Sequence, residues 1–291
     1  MSLSILTNTS AMQTEISLNR SSDAVSTAMQ RLSSGLRINT AADDAAGYAI
    51  SQGLTVQVNG LQQAGQNVSD ATSMVQTADS ALNNVQSMLQ RVSELAVQYQ
   101  NGDLSSQDQN AIQGEVNQLT QEIDRQRSSV QFNGINLLNG NAVNNQAAVT
   151  FQVGSAAGDT LSVSFANIEG TGGLTTSVGF SWGTNSANAT GGGVVFSLGQ
   201  SNALSLINGA INNLSNLAAT LGSVQNRLQY TSNAISATQE NMSASLSSIQ
   251  DVNMATEMTT MTQQQVLQQA GTAMLAQANQ APQLVLKLIT G

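Results

Sequence analysis

The chain has 291 residues, of which only 9% are charged and 3% aromatic, and its formal net charge is −9 with a single lysine, Lys287. So few basic residues leave no patch for nucleic acid or for an acidic membrane surface. The absence of histidine and cysteine removes the commonest general base, the commonest metal ligand and all thiol chemistry. We therefore expect no catalytic residues, no metal and no cofactor.

Export and membrane insertion are constrained by the same composition. No run of 18 apolar residues occurs, so we expect no membrane-spanning segment. Residues 1–20 lack the basic and apolar regions of a cleavable secretory signal, and the first arginine is Arg20. If the protein works outside the cell, we expect it to leave by a route that needs no such signal.

The first predicted helix occupies residues 3–36 and carries a sparse row of apolar residues, one at every seventh position. The row consists of Ala11, Leu18, Val25 and Leu32, flanked by Met29 and Leu36. So thin a row gives a helix little stability alone, and it needs a helical partner. Beyond it, Gly35 is suited to ending the helix, and Thr40 with Asp43 resembles a capping box for the next one. We interpret Asp43 and Asp44 as caps in a first turn rather than as catalysts.

Two long heptad patterns follow, one in each half of the chain. The first has Leu54, Leu61, Val68, Val75, Leu82, Leu89 and Ala96, with a companion row Ala64, Ala71, Ala78, Val85, Val92 and Tyr99. A shorter helix is predicted from about Ser106, with Ile112, Val116, Leu119 and Ile123 on one face. The second long pattern has Ile207, Leu214, Leu221, Leu228, Ile235, Met242 and Ile249.

The centre between the heptads has a different character. Residues 149–153 and 161–165 alternate apolar and polar and are joined by a glycine-containing loop, which predicts a β-hairpin. Residues 178–182 and 194–198 suggest a weaker second pair, and residues 132–138 suggest a loop with a turn dipeptide. This centre is nearly uncharged and rich in small polar residues, which is typical of an exposed, variable surface. We expect that variable region near residues 166–202.

The last segment, Met258 to Leu286, contains no charged residue yet is rich in glutamine. Its apolar residues are predicted to fall on one helical stripe, mostly four residues apart, and its opposite face is neutral. The stripe consists of Met258, Val266, Ala270, Met274, Ala278, Ala281, Val285 and Leu288. Identical helices packed together would set like charges side by side, whereas amides can both donate and accept hydrogen bonds. We therefore predict a helix that is buried only on assembly. The predicted polymerisation interface comprises Leu18, Val25, Leu32, Leu36, Met258, Val266, Met274, Val285 and Leu288.

These elements predict a mainly α fold: long antiparallel coiled-coil helices flank a small central β-hairpin region. Residues 1–44 and 254–291 would form one domain and residues 45–253 a rod. The two chain ends would lie together as antiparallel partners.

Several separate strings in these flanks resemble bacterial flagellin. They are LSSGLRINTAADDAAG at 32–47, QRVSELAVQ at 90–98, EIDRQRSSVQFNGINLL at 122–138, LGSVQNRL at 221–228 and QQAGTAMLAQANQAPQLVL at 268–286. The chain is similar to a short form of that family, since residues 165–203 leave no room for large outer domains. The resemblance implies an extracellular structural subunit that polymerises into the flagellar filament for motility, with the terminal domain lining the tube.

The resemblance also implies partners. These are further copies of the chain, a flagellar export chaperone, hook-junction and cap proteins, and the flagellar type III export apparatus. In related flagellins a Toll-like innate receptor recognises the surface that Arg91, Leu95 and Glu115 match here. Lateral contact between subunits is an equally good explanation of these three residues.

Other functions remain open at this point. A flagellar hook–filament junction protein has similar termini, and a secreted coiled-coil adhesin would share the heptads but not explain the charge-free end. A metalloprotease insert, known in the family, requires histidines that this chain lacks.

Overall fold

The computed structural model describes residues 8–138, 148–165, 197–200 and 202–290, with the backbone alone over 281–290. Long helices dominate these ranges. They are α1 (Thr9–Ser34), α2 (Ala45–Tyr99), α3 (Ser106–Ser129), α4 (Ala203–Gln250) and α5 (Met254–Thr290). The strands are β1 (Gln131–Phe132), β2 (Ile135–Asn136), β3 (Ala148–Gln152) and β4 (Thr160–Ser164). The predicted mainly α class with a small β region is confirmed.

The heptads of α2 and α4 place one face of each helix in the interior. In α2 every predicted position of the first row from Leu61 to Ala96 is buried, and only Leu54 is half-buried. In α4 the predicted row is buried from Ile207 to Ile235, whereas Met242 and Ile249 are half-buried. Because the apolar residues recur every 3.5 residues, the same side of each helix stays buried over many turns.

The chain forms two compact units, Met1–Val58 with Glu240–Gly291, and Asn59–Gln239. In the second unit, α2, α3 and α4 share one apolar cluster. It consists of Val92, Leu95, Ala96, Ile112, Val116, Leu198, Ala203 and Ile207. Two long-range hydrogen bonds join other segments to these helices: Gln113 Oε1 accepts from the backbone N–H of Leu198 at 2.9 Å, and Asn67 donates to the carbonyl of Gln152 at 2.9 Å.

Helix α3 begins with a complete capping box. The Ser105 hydroxyl accepts a hydrogen bond from the Asp108 backbone N–H at 3.3 Å, and the Asp108 carboxylate accepts from the Ser105 backbone N–H at 3.1 Å. The carboxylate also accepts from the Ser105 hydroxyl at 2.6 Å. These hydrogen bonds stabilise the ionised form and so lower the pKa of Asp108 below its ordinary value of 3.8.

This lowered pKa predicts an acid-dependent loss of stability. A carboxylate with a depressed folded pKa stabilises the fold above its unfolded value, and the contribution disappears as pH falls through the folded value. We therefore expect Asp108→Ala to lower the midpoint of thermal unfolding at neutral pH, and the difference from the unsubstituted chain to shrink below pH 3.8. Circular dichroism melts would measure both. Asp103→Ala, in the exposed loop before α3, is the control, and an equal loss there would refute the capping role.

The hairpins are partly as predicted. Strands β3 and β4 pair antiparallel with Phe151 opposite Leu161, which confirms the predicted hairpin, although each strand begins one residue earlier than expected.

Strands β1 and β2 form a second, very short hairpin where only a loop was predicted. Its turn residues Asn133 and Gly134 both have positive φ, at 49° and 77°. Asparagine and glycine are the residues that tolerate this backbone, so the dipeptide closes a hairpin turn. The predicted strand at 178–182, residues 194–196 of its predicted partner and most of the predicted variable region at 166–202 lie outside the described residues, and the described residues 197–198 belong to no strand.

A short junction ends α1 within the first unit. Gly35 adopts a left-handed conformation with φ 73°, and its N–H donates to the Arg31 carbonyl at 2.9 Å. Its own carbonyl accepts from the Val252 N–H at 3.0 Å, and Leu36 forms an isolated antiparallel bridge with Asp251. The turn after α1 is thereby joined to the break between α4 and α5, and the predicted role of Gly35 as a helix terminator is confirmed.

The start of α2 differs from its prediction. Asp43 accepts from the N–H and the hydroxyl of Thr40, but these residues form a turn before the helix. Helix α2 begins at Ala45, so Asp43 and Asp44 lie outside its first turn. Asp44 instead accepts from the Gly47 N–H at 2.9 Å and so caps the helix. The predicted domain limits, between 44 and 45 and between 253 and 254, stay predictions: α2 and α5 begin there, whereas the two compact units divide between 58 and 59 and between 239 and 240.

Candidate assembly surface

Helices α1 and α5 lie side by side as antiparallel partners in the first unit, which we call the terminal helix pair. Three contacts fix their direction. Asn8 donates a hydrogen bond to the Ala278 carbonyl at 2.8 Å. Leu18 packs against Gly271, where its Cδ1 lies 3.4 Å from the position that a Cβ atom would occupy. The Arg31 guanidinium lies 3.7 Å from the Glu257 carboxylate. The partner numbers fall as the α1 numbers rise, so the predicted antiparallel pairing of the chain ends is confirmed.

The seam of this pair is made largely of small and polar residues. Along α1 the less exposed positions alternate spacings of three and four: Ala11, Thr14, Leu18, Ser21, Val25, Ala28 and Leu32. Along α5 the matching row is Glu257, Met261, Gln264, Gln268, Gly271, Leu275 and Ala278. Three of the predicted interface residues, Leu18, Val25 and Leu32, therefore belong to the seam. Thr14, Ser21 and Ala28 were not predicted because small and polar residues give no hydropathy signal.

Large apolar side chains also lie on the surface of the pair. Met258, Val266 and Met274, all predicted interface residues, are 48%, 58% and 61% exposed. The other large exposed apolar residues among the described side chains of the two helices are Met12, Ile16, Met29, Met254 and Leu267. Together these eight form what we call the outer apolar set. Met258, Val266 and Leu267 line an open, largely apolar depression with Thr259, Thr262 and Gln263.

The apolar residues of α5 do not form the single stripe that the sequence suggested. Residues spaced four apart advance by about 40° per step on a helix with 3.6 residues per turn. A row that starts at Met258 therefore winds around the helix and reaches the α1 side at Ala278. The result is a helix with apolar residues on several sides, only one of which α1 covers. Such a pattern is typical of a helix that has more than one packing partner.

The remaining predicted interface residues have different positions. Leu36 is half-buried in the junction after α1. Val285 and Leu288 belong to α5, but their side chains lie outside the described residues. At the junction end of the pair, the Arg31 guanidinium lies 3.8 Å from Asp43 and 3.7 Å from Glu257. Such partly exposed ion pairs contribute little net stability.

The proposed receptor residues lie in the second unit, on α2 and α3. Arg91 donates to Glu115 at 2.9 Å and to Glu94 at 3.1 Å, and all three side chains are exposed. Its hydrogen bonds to Glu115 and then Glu94 raise the pKa of Arg91 above its usual value. Leu95, by contrast, is 2% exposed and belongs to the shared apolar cluster. The surface at this place is therefore formed by Arg91 and Glu115, while Leu95 packs beneath it.

Among the described residues, no group of three acidic side chains is placed to hold a metal ion. None of the helices described is sufficiently long and apolar to traverse a bilayer.

Comparison with known proteins gives consistent matches at both ends of the chain. Residues 5–143 match the family model "Bacterial flagellin N-terminal helical region" and residues 204–289 match "Bacterial flagellin C-terminal helical region". The flagellin of Bacillus subtilis is 41% identical over 97% of this chain and 98% of its own length. The flagellar filament 33 kDa core protein of Treponema phagedenis is 38% identical over the same shares. The crystal structure of Bacillus cereus flagellin is 27% identical, covers 62% of this chain and 94% of its own, and has a TM-score of 0.46.

Proposed function

This chain belongs to the bacterial flagellin family, and we infer that it is the repeating structural subunit of the extracellular flagellar filament that bacteria use for motility. It is a structural protein and not an enzyme. The observation that carries this function is the outer apolar set, which leaves large side chains uncovered on the helices formed by the two chain ends. No other segment in the described part of the chain covers them, and we propose that other copies of the chain do.

The energetics favour such an assembly. Burial of one Leu, Ile, Val or Met side chain contributes roughly 1.5–3 kcal/mol. Several such residues per subunit can exceed the cost of immobilising a subunit, which is about 4–15 kcal/mol. Copies that bind head to tail through two different surfaces form a helical filament when the rotation between neighbours does not close a ring.

The charge distribution supports the same conclusion. The segment from Met258 to Leu286 carries no charge, although the whole chain has a net charge of −9. A copy of α5 can therefore lie against another copy without burying like charges. We propose that residues 1–44 and 254–291 line the filament, with residues 45–253 as a surrounding rod, and that Leu36, Val285 and Leu288 join the interface.

A single substitution tests the proposed interface. Val266→Asp would place a carboxylate on the outer apolar set, where assembly would bury it unpaired at a cost of about 3 kcal/mol or more. We expect the critical concentration for polymerisation to rise more than about a hundredfold. Sedimentation and electron microscopy would measure this.

The matched control is Val266→Ile, which keeps the apolar surface and should still form filaments. Because Val266 is exposed in the single chain, the Asp variant should unfold at nearly the same temperature as the original. Normal filaments from the Asp variant would show that this side of α5 is not an interface.

Partners beyond the chain itself follow from the family. We propose that an export chaperone covers the outer apolar set of α5 before export, and that hook-junction and cap proteins contact the terminal helix pair. A junction protein is the second candidate function, and micrographs of the purified chain separate the two: long filaments support a flagellin, whereas short collars support a junction protein.

We also propose a Toll-like innate receptor as a partner for the exposed surface at Arg91 and Glu115. Arg91→Ala removes the charge and both hydrogen bonds to Glu115 and Glu94, but leaves the buried cluster intact. We expect filaments to form and receptor signalling in a reporter cell line to fall. Unchanged signalling would contradict the receptor proposal, and lost filaments would favour lateral subunit contact as the role of Arg91.

A further inference from the structure

Methionine is distributed unevenly over the structure. Every exposed methionine in the described residues lies on the terminal helix pair: Met12 60%, Met29 51%, Met254 49%, Met258 48% and Met274 61% exposed. Elsewhere, Met74 in α2 is 2% exposed, and Met88 and Met242 are half-buried. These five methionines make up more than half of the outer apolar set.

The thioether is the most readily oxidised group that this chain offers. Cysteine is absent from the sequence, so no thiolate competes for an oxidant. Oxidation to the sulfoxide turns a flexible apolar side chain into a polar one, and two reductases, one for each sulfoxide epimer, reverse it. The susceptibility of a methionine to oxidation follows its exposure. In the single chain the exposed methionines among the described residues lie on α1 and α5.

From this placement we propose that Met12, Met29, Met254, Met258 and Met274 form an oxidation-sensitive site through which a two-electron oxygen-atom donor, a peroxide or hypochlorous acid, blocks assembly of free subunits. The reaction is balanced with hydrogen peroxide. The O–O bond breaks, one oxygen atom forms an S=O bond, the sulfur loses two electrons and the other oxygen leaves as water. The inference rests on the proposed function, because the effect requires that other copies cover these side chains.

Assembly and oxidation then exclude each other. A subunit within a filament has its outer apolar set covered, so its methionines react slowly. A free subunit has them exposed, and each sulfoxide would have to lose its water on burial against apolar neighbours. Met258 and Met274 lie in the segment without charged residues, so the amides and hydroxyls already present would have to compensate for the new dipole there. Oxidants would therefore inactivate free subunits and spare those already assembled.

The test compares free and assembled protein exposed to hydrogen peroxide. After treatment of the free full-length chain, peptide mass mapping should find the added oxygen on the five exposed methionines well before Met74. The critical concentration for polymerisation should rise by at least about tenfold. The same treatment of preformed filaments should oxidise the five much more slowly, and subsequent treatment of the free chain with both sulfoxide reductases should restore polymerisation.

A variant with leucine at all five positions supplies the matched comparison, because leucine has nearly the volume of methionine. It should polymerise equally well before and after peroxide. The control variant Met88→Leu/Met242→Leu retains the site and should remain inhibited. If the variant with leucine at all five positions does not polymerise, the reductase treatment of the original chain is the deciding measurement, and recovery of its polymerisation supports the proposal.

The outcomes separate the two proposals. Failure of the untreated original chain to form filaments contradicts the proposed function and is seen before any oxidant is added. Normal filaments from a chain mapped as oxidised at the five positions overturn the oxidation site alone. The oxidation site is also overturned if peroxide still inhibits a variant that has leucine at all five positions and polymerises before treatment. It is overturned as well if the reductases do not reverse the inhibition of the original chain.

Discussion

Deletion of residues 254–291 abolishes filament growth while the second unit stays folded: this is the largest effect that the structure predicts. The deletion removes α5, which supplies one side of the seam and five of the eight residues of the outer apolar set. Among the described residues, α5 is the one element that runs along the length of α1, and without it the sparse apolar row of α1 cannot stabilise that helix alone. No neighbouring copy can be bound through surfaces that are no longer present.

The second unit should survive because its apolar cluster contains no residue of α1 or α5. Amide hydrogen exchange would detect this as retained protection around Val92, Val116 and Ile207 in the truncated chain. Electron microscopy and sedimentation would score filaments. A deletion of residues 171–190, in the predicted variable part, is the control and should still polymerise. Ordinary filaments from the chain without α5 would contradict the proposed role of this helix.

Leu95→Ala should destabilise the second unit more than any surface substitution. The side chain is 2% exposed and packs among residues of α2, α3 and α4. Removal of a buried leucine side chain leaves a cavity and costs about 2–5 kcal/mol. Urea unfolding followed by circular dichroism would show this as a lower midpoint.

The control for Leu95 is two residues away on the same helix. Val97 is 58% exposed, and Val97→Ala should change the free energy of unfolding by less than about 0.5 kcal/mol. The comparison also bears on the receptor proposal. Since Leu95 lies beneath the surface, any loss of receptor signalling in Leu95→Ala should accompany a loss of stability. Reduced signalling at unchanged stability would show instead that Leu95 itself reaches the receptor.

The sequence predicts the long helices well because their stabilising residues are large and recur at fixed spacing. Leu61 to Ala96 and Ile207 to Ile235 form rows that a heptad pattern captures, and both rows are buried as expected. The hairpin of β3 and β4 is equally visible because its residues alternate in polarity. In α2, α4 and β4 a local repeat determines which side faces the interior, whereas burial along β3 does not alternate.

The terminal seam is harder to predict because nine of its fourteen positions lack large apolar residues. Thr14, Ser21, Gln264 and Gln268 lie in the seam although nothing in their hydropathy indicates it. The prediction for α5 followed apolar residues four apart, and that row winds away from one face. Leu95 illustrates a different limit: a family motif identifies the place but does not tell which side chain is exposed there.

The hydrogen bond from Asn8 to the Ala278 carbonyl joins residues separated by 270 positions. This separation affects when the two helices can pair during protein synthesis. From the end of α1 at Ser34 to the start of α5 at Met254, a ribosome must add about 220 residues, which takes roughly 10–45 s at about 5–20 residues per second. During that interval α1 has emerged but its intramolecular partner does not yet exist. Helix α1 therefore pairs only after α5 has been made, so the pairing is one of the last events in the maturation of each subunit.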